Sequence, residues 1–337
     1  TFTNASLILG YSHKNLTGER STIDFKVALS ESFRFKVGNK LYFGDKYNHH
    51  FDAYYDFSMF KLPIYKSNHK THVYDYRRND LAVQVGHIFS KKSEMLVKIG
   101  YESLSISPDV SEISDKNDTI KIQREILDGK IKNTYFNLKY HYNTLNRKQL
   151  PQKGISFETN LNVAIKPKYN FENTSDSIMN TIKDRNTIFR LKSELSMYQQ
   201  INERSSVIEH ISLVASYGKQ TEVQKTALGG CNKFLPNHVS FYGLTTAQML
   251  VESVVAVKVG LQHRIVDELY GILHLNAATT FNRIDDYIEK KYFKEDSYFY
   301  GVGATLAYNF SYLPFELTLM YSPDYKFNVS VNVGFLF

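Results

Sequence analysis

The chain has 337 residues, is rich in Tyr (25) and Phe (23), lacks Trp, contains one Cys and carries a net charge of +7. Its length suits one large domain or two ordinary ones. Its mean hydropathy is slightly negative and no run of 18 apolar residues exists, which excludes a membrane-spanning helix. The lone Cys231 excludes an internal disulfide, and no basic stripe of the nucleic-acid type is present, so no nucleic-acid partner is expected.

The chain opens at Thr1 without a charged n-region or an apolar h-region, so a leader is expected to have been removed or the segment to be cut from a longer precursor. Alternation then begins. Ile23, Phe25, Val27 and Leu29 alternate with Asp24, Lys26 and Ala28, and Phe33, Phe35 and Val37 alternate with Arg34, Lys36 and Gly38. Met95, Val97, Ile99 and Tyr101 alternate with Leu96, Lys98, Gly100 and Glu102. Phe136 to Tyr142, Ile155 to Val163, Phe189 to Met197, Val255 to Leu261 and Tyr300 to Tyr308 repeat the pattern. The chain ends in FNVSVNVGFLF, with Phe327, Val329, Val331, Val333, Phe335 and Phe337 on one face and Asn328, Ser330, Asn332 and Gly334 on the other. A period of two marks β-strands. One apolar face, one polar or tiny face and a terminal aromatic suit the closing strand of a transmembrane β-barrel.

Sixteen strands are expected, centred near residues 8, 25, 38, 54, 74, 85, 99, 137, 159, 192, 212, 256, 275, 304, 318 and 332. Short links fall near Ser30–Ser32, Lys91–Lys92, Asn202–Arg204, Val266–Glu268 and Ser311–Leu313, and long ones near 106–129, 167–186, 220–246 and 283–298. The link from Lys61 to Lys70, with Pro63, is longer than this alternation wants. Tight periplasmic turns and long outer loops are the barrel rule, and an even strand count then places both termini in the periplasm of an outer membrane. The expected inner face carries Asp24, Lys26, Arg34, Lys36, Lys98, Glu102, Lys139, Glu158, Arg190, Lys192, Glu194, Lys258 and Glu316. Mixed signs argue for internal ion pairs or an inward loop, not a pore ring of one sign. The outer face would contact lipid, and the positive balance suits lipopolysaccharide phosphates.

Few residues suggest chemistry. The acidic groups Asp109, Glu112, Asp115 and Asp118, and Asp285, Asp286, Glu289, Glu295 and Asp296, match no calcium-loop spacing and read as solvated tips. His49–His50 and His69–His72 lack a third ligand. No general base can be placed beside Cys231. No catalytic residue, metal or cofactor is expected.

Leu228-Gly229-Gly230, Phe234-Leu235-Pro236-Asn237 and Phe241-Tyr242-Gly243-Leu244 precede the strand around Ala256. This arrangement resembles the surface-antigen barrel superfamily that includes BamA, TamA and the two-partner-secretion transporters. The resemblance implies a sixteen-stranded barrel whose long loop before strand 12 folds into the lumen and carries an Arg-Gly-Phe/Tyr tip. Here Tyr242-Gly243-Leu244 stands at the tip, with tyrosine in the arginine position. The family lock between that arginine and the wall is therefore expected to be absent or replaced. Pro151, Gly154 and Phe157 match the family's Pro-x-x-Gly-aromatic segment, and Phe315 to Phe337 resembles its last hairpin.

The wording LGGCNKFLPNHVSFYGL and PFELTLMYS looks most like the barrels carried by patatin-like phospholipases of the Bacteroidetes group. That implies a membrane anchor or translocation module for an upstream hydrolase. No Gly-x-Ser-x-Gly elbow occurs in these residues, so no esterase activity of their own is expected. The alternatives are an insertase for client barrels, a passive porin and a soluble all-β binding protein. For the anchor and insertase readings, the first and last strands would form an incompletely paired seam, able to lend hydrogen-bonding groups to a client strand.

Overall fold

In the computed structural model the alternating segments are extended and pair into one large sheet. The structure describes all residues except 1, 6, 30, 31, 67, 68, 110–127, 173–186, 232, 234, 236, 289–296, 310–313, 324 and 334–337. The first half contributes β1 (Phe2–Ala5), β2 (Leu7–Lys14), β3 (Ser21–Leu29), β4 (Phe33–Phe43), β5 (His49–Lys66), β6 (His69–Ser90), β7 (Ser93–Pro108) and β8 (Asp128–Asn143). Then follow β9 (Gly154–Glu172), β10 (Ile188–Gln200), β11 (Ser205–Tyr217), β12 (Thr226–Leu228), β13 (His238–Val239) and β14 (Met249–Val251). The last are β15 (Ser253–Val266), β16 (Leu269–Phe281), β17 (Ser297–Asn309), β18 (Pro314–Ser322) and β19 (Lys326–Val333). The large sheet runs β1-β19-β18-β17-β16-β15-β11 and then stepwise back from β10 to β2. Every neighbour pair is antiparallel except β1 with β19, which are parallel through Phe2↔Ser330 to Ala5↔Val333. The two ends of the ladder, β1 and β2, are separated in the chain by residue 6 alone.

The division into strands differs from the sequence expectation. The segments centred near 74 and 85 are one 22-residue strand, β6. Among the described residues, β2–β11 and β15–β19 make fifteen strands paired antiparallel, and the short β1 brings the sheet to sixteen. The polar run Arg77, Arg78, Asn79 and Asp80 looks like a break, yet it stays in register with Met59 to Asp56 of β5. Pro63 is also inside a strand. β4 pairs with β5 only as far as Met59, so Pro63 faces a one-sided ladder where a missing donor costs little.

The odd antiparallel count changes the parity. β2 and β19 point the same way, so the described antiparallel strands do not themselves supply the even count on which the expectation of two periplasmic termini rests. The 30–32 link falls at the end of the sheet that bears the long links, and the 15–20 link falls with the short ones.

The faces are inverted relative to a soluble sandwich. Leu273 and Leu275 are 61% and 64% exposed, whereas Ile272 and Ala278 on the other face are buried. Leu81, Val83, Val85, Val97, Ile99, Val257, Val259 and Leu261 are likewise exposed. In register across β18 and β19, Val329 and Val331 face Leu319 and Leu317, continuing this apolar surface. Gly334, Phe335 and Phe337 lie outside the described residues. Among the described residues no helix is long and apolar enough to cross a membrane, which says nothing of crossing by strands.

Candidate functional site

The core lies on the covered face, and the link 218–252 builds it. This link precedes β15, the eleventh strand of the antiparallel set rather than the twelfth. Two short turns fold it locally. In each, a Gln side chain reaches back three residues to a Thr backbone N–H: Thr221 N to Gln224 Oε1 at 3.0 Å and Thr245 N to Gln248 Oε1 at 2.7 Å. Between them lie β12 and β13, which pair in parallel; β14, just after the second turn, pairs antiparallel with β12.

This small sheet fills the space between distant strands. On one side Val223, Ala227 and Ala247 pack with Leu62, Tyr74, Tyr76, Leu104, Ile106 and Ile131 of β5–β8. On the other, Leu228, Val239, Phe241 and Leu244 pack with Val214, Val254, Ala256, Ala278 and Phe299 of β11 and β15–β17. Polar anchors reinforce the packing. Lys233 meets Glu194 at 2.6 Å, Lys192 Nζ donates to the His238 carbonyl at 3.1 Å, and Arg190 donates to the Gln224 carbonyl. His238 is fully buried and its Nε2 contacts the Gly229 carbonyl at 2.5 Å. Burial pushes its pKa down to about 4.

The segment Phe241-Tyr242-Gly243-Leu244 docks against β15–β19. Asn276 Oδ1 accepts from the Tyr242 N–H at 3.0 Å, and Asn276 Nδ2 donates to the Tyr242 carbonyl at 3.2 Å. The Tyr242 ring stacks on His274, with centroids 4.3 Å apart and planes at 14°, and Lys258 Nζ lies 5.2 Å from its centre. Burial above all holds the Tyr242 hydroxyl well above its ordinary pKa, so it stays neutral. Gly301 and Gly303 form the groove beneath it. A Cβ at Gly303 would lie 2.6 Å from Tyr242 Cδ1, and one at Gly301 would collide with the Tyr242 carbonyl. Gly243 has φ +101°, a conformation that disfavours a side chain, and a Cβ there would lie 2.7 Å from Ser322. Tyr242 thus sits between an amide, an imidazole and glycine backbone, and the cation near its ring is Lys258.

The covered wall pairs many of its charges. Arg34 meets Asp56 at 2.6 Å, Lys139 meets Glu158 at 2.9 Å, and Lys192 meets Glu194 at 3.4 Å. Arg78 bridges Asp80 at 2.9 Å and Glu102 at 2.5 Å, and the Tyr135 hydroxyl donates to Asp80 at 2.6 Å. Asp56, Arg78 and Asp80 do not stand out in the sequence, because their partners come from neighbouring strands. Asn276 and His274, the clamp residues, carry no local signal, although Gly301 and Gly303 already alternate with large residues in the sequence.

Other candidates disperse. His50 points inward between Asp52 (2.8 Å) and Glu94 (2.5 Å), while His49 sits against His87 at 3.2 Å. Among the described residues no group of three or more His, Cys, Asp or Glu could hold a metal ion. Burial raises the Cys231 thiol pKa, and its Sγ lies 3.7 Å from Met320 Sδ, a setting for an unreactive thiol. Arg283 binds Asp286 at 2.7 Å and Asp285 at 3.5 Å; burial opposes its charge, but these carboxylates raise its pKa. Glu112, Asp115, Asp118, Glu289, Glu295 and Asp296 lie outside the described residues.

The comparisons with known proteins agree with this geometry. The Omp85 superfamily domain matches residues 15–335. A BamA structure from Haemophilus ducreyi lacking POTRA domains 1–3 is similar at TM-score 0.68 and 10% identity, covering 98% of this chain and 68% of that one. CdiB from Escherichia coli is similar at TM-score 0.59 and 12% identity, covering 96% and 58%. CdiB from Acinetobacter baumannii is similar at TM-score 0.59 and 8% identity, covering 96% and 55%. The chain thus spans less than two thirds of either CdiB chain. No curated protein sequence is similar to it. A strand-built sheet with an exposed apolar face, filled by an inward loop, and a family match across nearly the whole chain lead to one conclusion: the chain belongs to the Omp85 superfamily of outer-membrane β-barrels.

Proposed function

We propose that this barrel is the membrane module of a passenger-anchoring or protein-translocating system, with the 218–252 loop as its resting plug. The observation that carries this reading is the Tyr242 clamp: a loop tip gripped by Asn276 and seated over Gly301 and Gly303 is held in place, unlike a rim loop of an open porin. The link-length rule puts the short-turn end in the periplasm, so β19 runs toward the periplasm. The exposed apolar face meets outer-membrane lipid, and lipopolysaccharide covers its long-loop end. The passenger is a patatin-type hydrolase joined ahead of Thr1; the resemblance of the loop wording and of the last hairpin supports this.

An insertase reading has one observation in its favour. The parallel β1–β19 ladder carries four residue pairs, against eight between β18 and β19. A parallel junction is the weaker kind, and a client strand could replace it.

The test is a reporter fused ahead of Thr1 in a Gram-negative host. Surface protease should digest the reporter on intact cells. A reporter that stays protected in correctly inserted protein contradicts the passenger reading. The coding sequence upstream separates the two readings further: a Gly-x-Ser-x-Gly domain supports the hydrolase, and several transport-associated domains support the insertase.

A further inference from the structure

Below the plug lies a second feature that neither the clamp nor the passenger requires. The β8–β9 link, which carries Pro151, crosses the short-turn end of the lumen. Gln262 Nε2 on β15 donates to the Pro151 carbonyl at 3.3 Å, and Arg147 Nη1 donates to the Tyr270 hydroxyl on β16 at 3.1 Å. Between this strap and Tyr242 is a chamber of about 840 Å³. That is the size of a small-ligand pocket.

The chamber wall is basic. Lys26, Arg34, Lys36, Lys148 and Lys258 line it, and Glu316 is its one carboxylate. Arg34 is paired with Asp56 through Nε at 3.3 Å and Nη2 at 2.6 Å. That contact occupies the carboxylate that stands next to Lys36 across β4 and β5. On its other side Lys36 stands directly opposite Lys26 of β3. Like charges opposite each other across two strands destabilise a sheet. Lys258 is flanked across its strands by His210 and Asn276, neither of them acidic. Among the described residues, Lys26, Lys36, Lys148 and Lys258 form no ion pair. Elsewhere on the wall charges are matched, as at Arg78 and Lys139. Lys98 on β7 also forms no ion pair, but its ammonium lies over the Tyr54 and Tyr135 rings, 5.7 and 5.0 Å from their centres; at the chamber four such lysines share one open volume.

We infer that this chamber binds a multivalent phosphate-type anion, either free in solution or carried on a lipid headgroup. Flexible ammonium groups converging from β3, β4, β15 and the strap suit a compact oxyanion with several charges, because each lysine supplies a point charge and three donors. Such an anion would relieve the Lys26–Lys36 repulsion. It would also tie the strap to the wall through Lys148. The inference stands whether or not a passenger is attached.

The test uses the purified chain in a neutral detergent. In one arm pyrophosphate is titrated by calorimetry into lipid-free protein; in the other, lipid A in mixed micelles is the titrant. Heat-modifiable gel migration verifies that each variant is folded. The wild type should bind at least one probe. Binding to pyrophosphate identifies a free anion as sufficient, and binding to lipid A alone identifies the headgroup as the source. The double variant Lys26→Met/Lys36→Met should lose about tenfold or more in affinity, the equivalent of roughly 1.4 kcal/mol. Lys132→Met, on the β8 extension away from the chamber, should be unchanged. A second readout needs no variant. Only the folded chain presents the chamber, so saturating anion should raise the thermal midpoint for loss of folded gel migration. No binding of either probe, equal affinity in the double variant, or an unshifted midpoint at saturating anion would overturn the inference.

Discussion

Asn276 holds Tyr242 by both edges of one side-chain amide, accepting from its N–H at 3.0 Å and donating to its carbonyl at 3.2 Å. The two residues lie on different elements, yet the contact copies the pairing of two adjacent strands. Asn276→Leu leaves both backbone groups buried and unpaired, at a cost of about 2–3 kcal/mol. The loop should then become protease-sensitive in folded protein while the barrel keeps its heat-modifiable migration. Asn276→Asp keeps the acceptor and removes the donor, so it should fall between the wild type and the leucine variant.

The groove under Tyr242 makes a second, steric prediction. Gly303→Ala introduces a Cβ 2.6 Å from the Tyr242 ring. Overpacking of this kind costs about 1–3 kcal/mol. The thermal midpoint for loss of folded gel migration should drop. Ala304→Gly, one residue along on the outer face, should leave the loop's protease resistance unchanged.

His238 predicts a pH dependence with a defined sign. Burial lowers its folded-state pKa to about 4, from an ordinary value of 6.5. Between these values the undocked loop binds the extra proton and the docked loop does not, so docking strengthens as pH rises across that window. The stabilisation is fully present above about 6.5 and is lost as pH falls toward 4, by roughly 3 kcal/mol at most. Loop proteolysis, measured with an acid-tolerant protease, should accelerate from pH 6.5 to 4. In His238→Gln this acceleration should flatten.

Arg78 is predicted to matter more than any surface ion pair. Its guanidinium bridges Asp80 and Glu102, and only 13% of the side chain is exposed. Removing one partner of a buried pair costs about 3–5 kcal/mol, because the remaining charge stays unpaired. Arg78→Met should lower the thermal midpoint or the folded yield sharply. Adding Asp80→Asn and Glu102→Gln should restore much of the loss.

Much of the strand pattern was legible in the sequence because a barrel wall is a sustained period-two signal. Val255 to Leu261, Met95 to Tyr101 and Phe327 to Val333 needed no tertiary information. The division into strands failed where local chemistry imitates a turn. Arg77 to Asp80 is four polar residues in a row, and Pro63 looks like a breaker, but both lie in the long β5–β6 hairpin. There the inward residues pair with β7 and β8, as Arg78 with Glu102 and Asp80 with Tyr135. A one-strand error then reversed the parity of everything before it. The segment Phe241 to Leu244 stood out in the sequence by its wording alone. Its clamp was not legible, since Tyr242 and Asn276 lie 34 residues apart and only register joins them. The basic chamber was equally hidden, because Lys26 and Lys36 read as ordinary alternating charges until their pairing across β3 and β4 is known.

On the proposed reading, the clamped 218–252 loop plugs the lumen of a membrane-spanning barrel. Single-channel recording in planar bilayers tests it most directly, comparing the wild type with Asn276→Leu and Gly303→Ala. The wild type should be silent or show rare brief openings, and both variants should open more often to larger conductance. A steady large conductance from the wild type, or variants indistinguishable from it, would contradict the account.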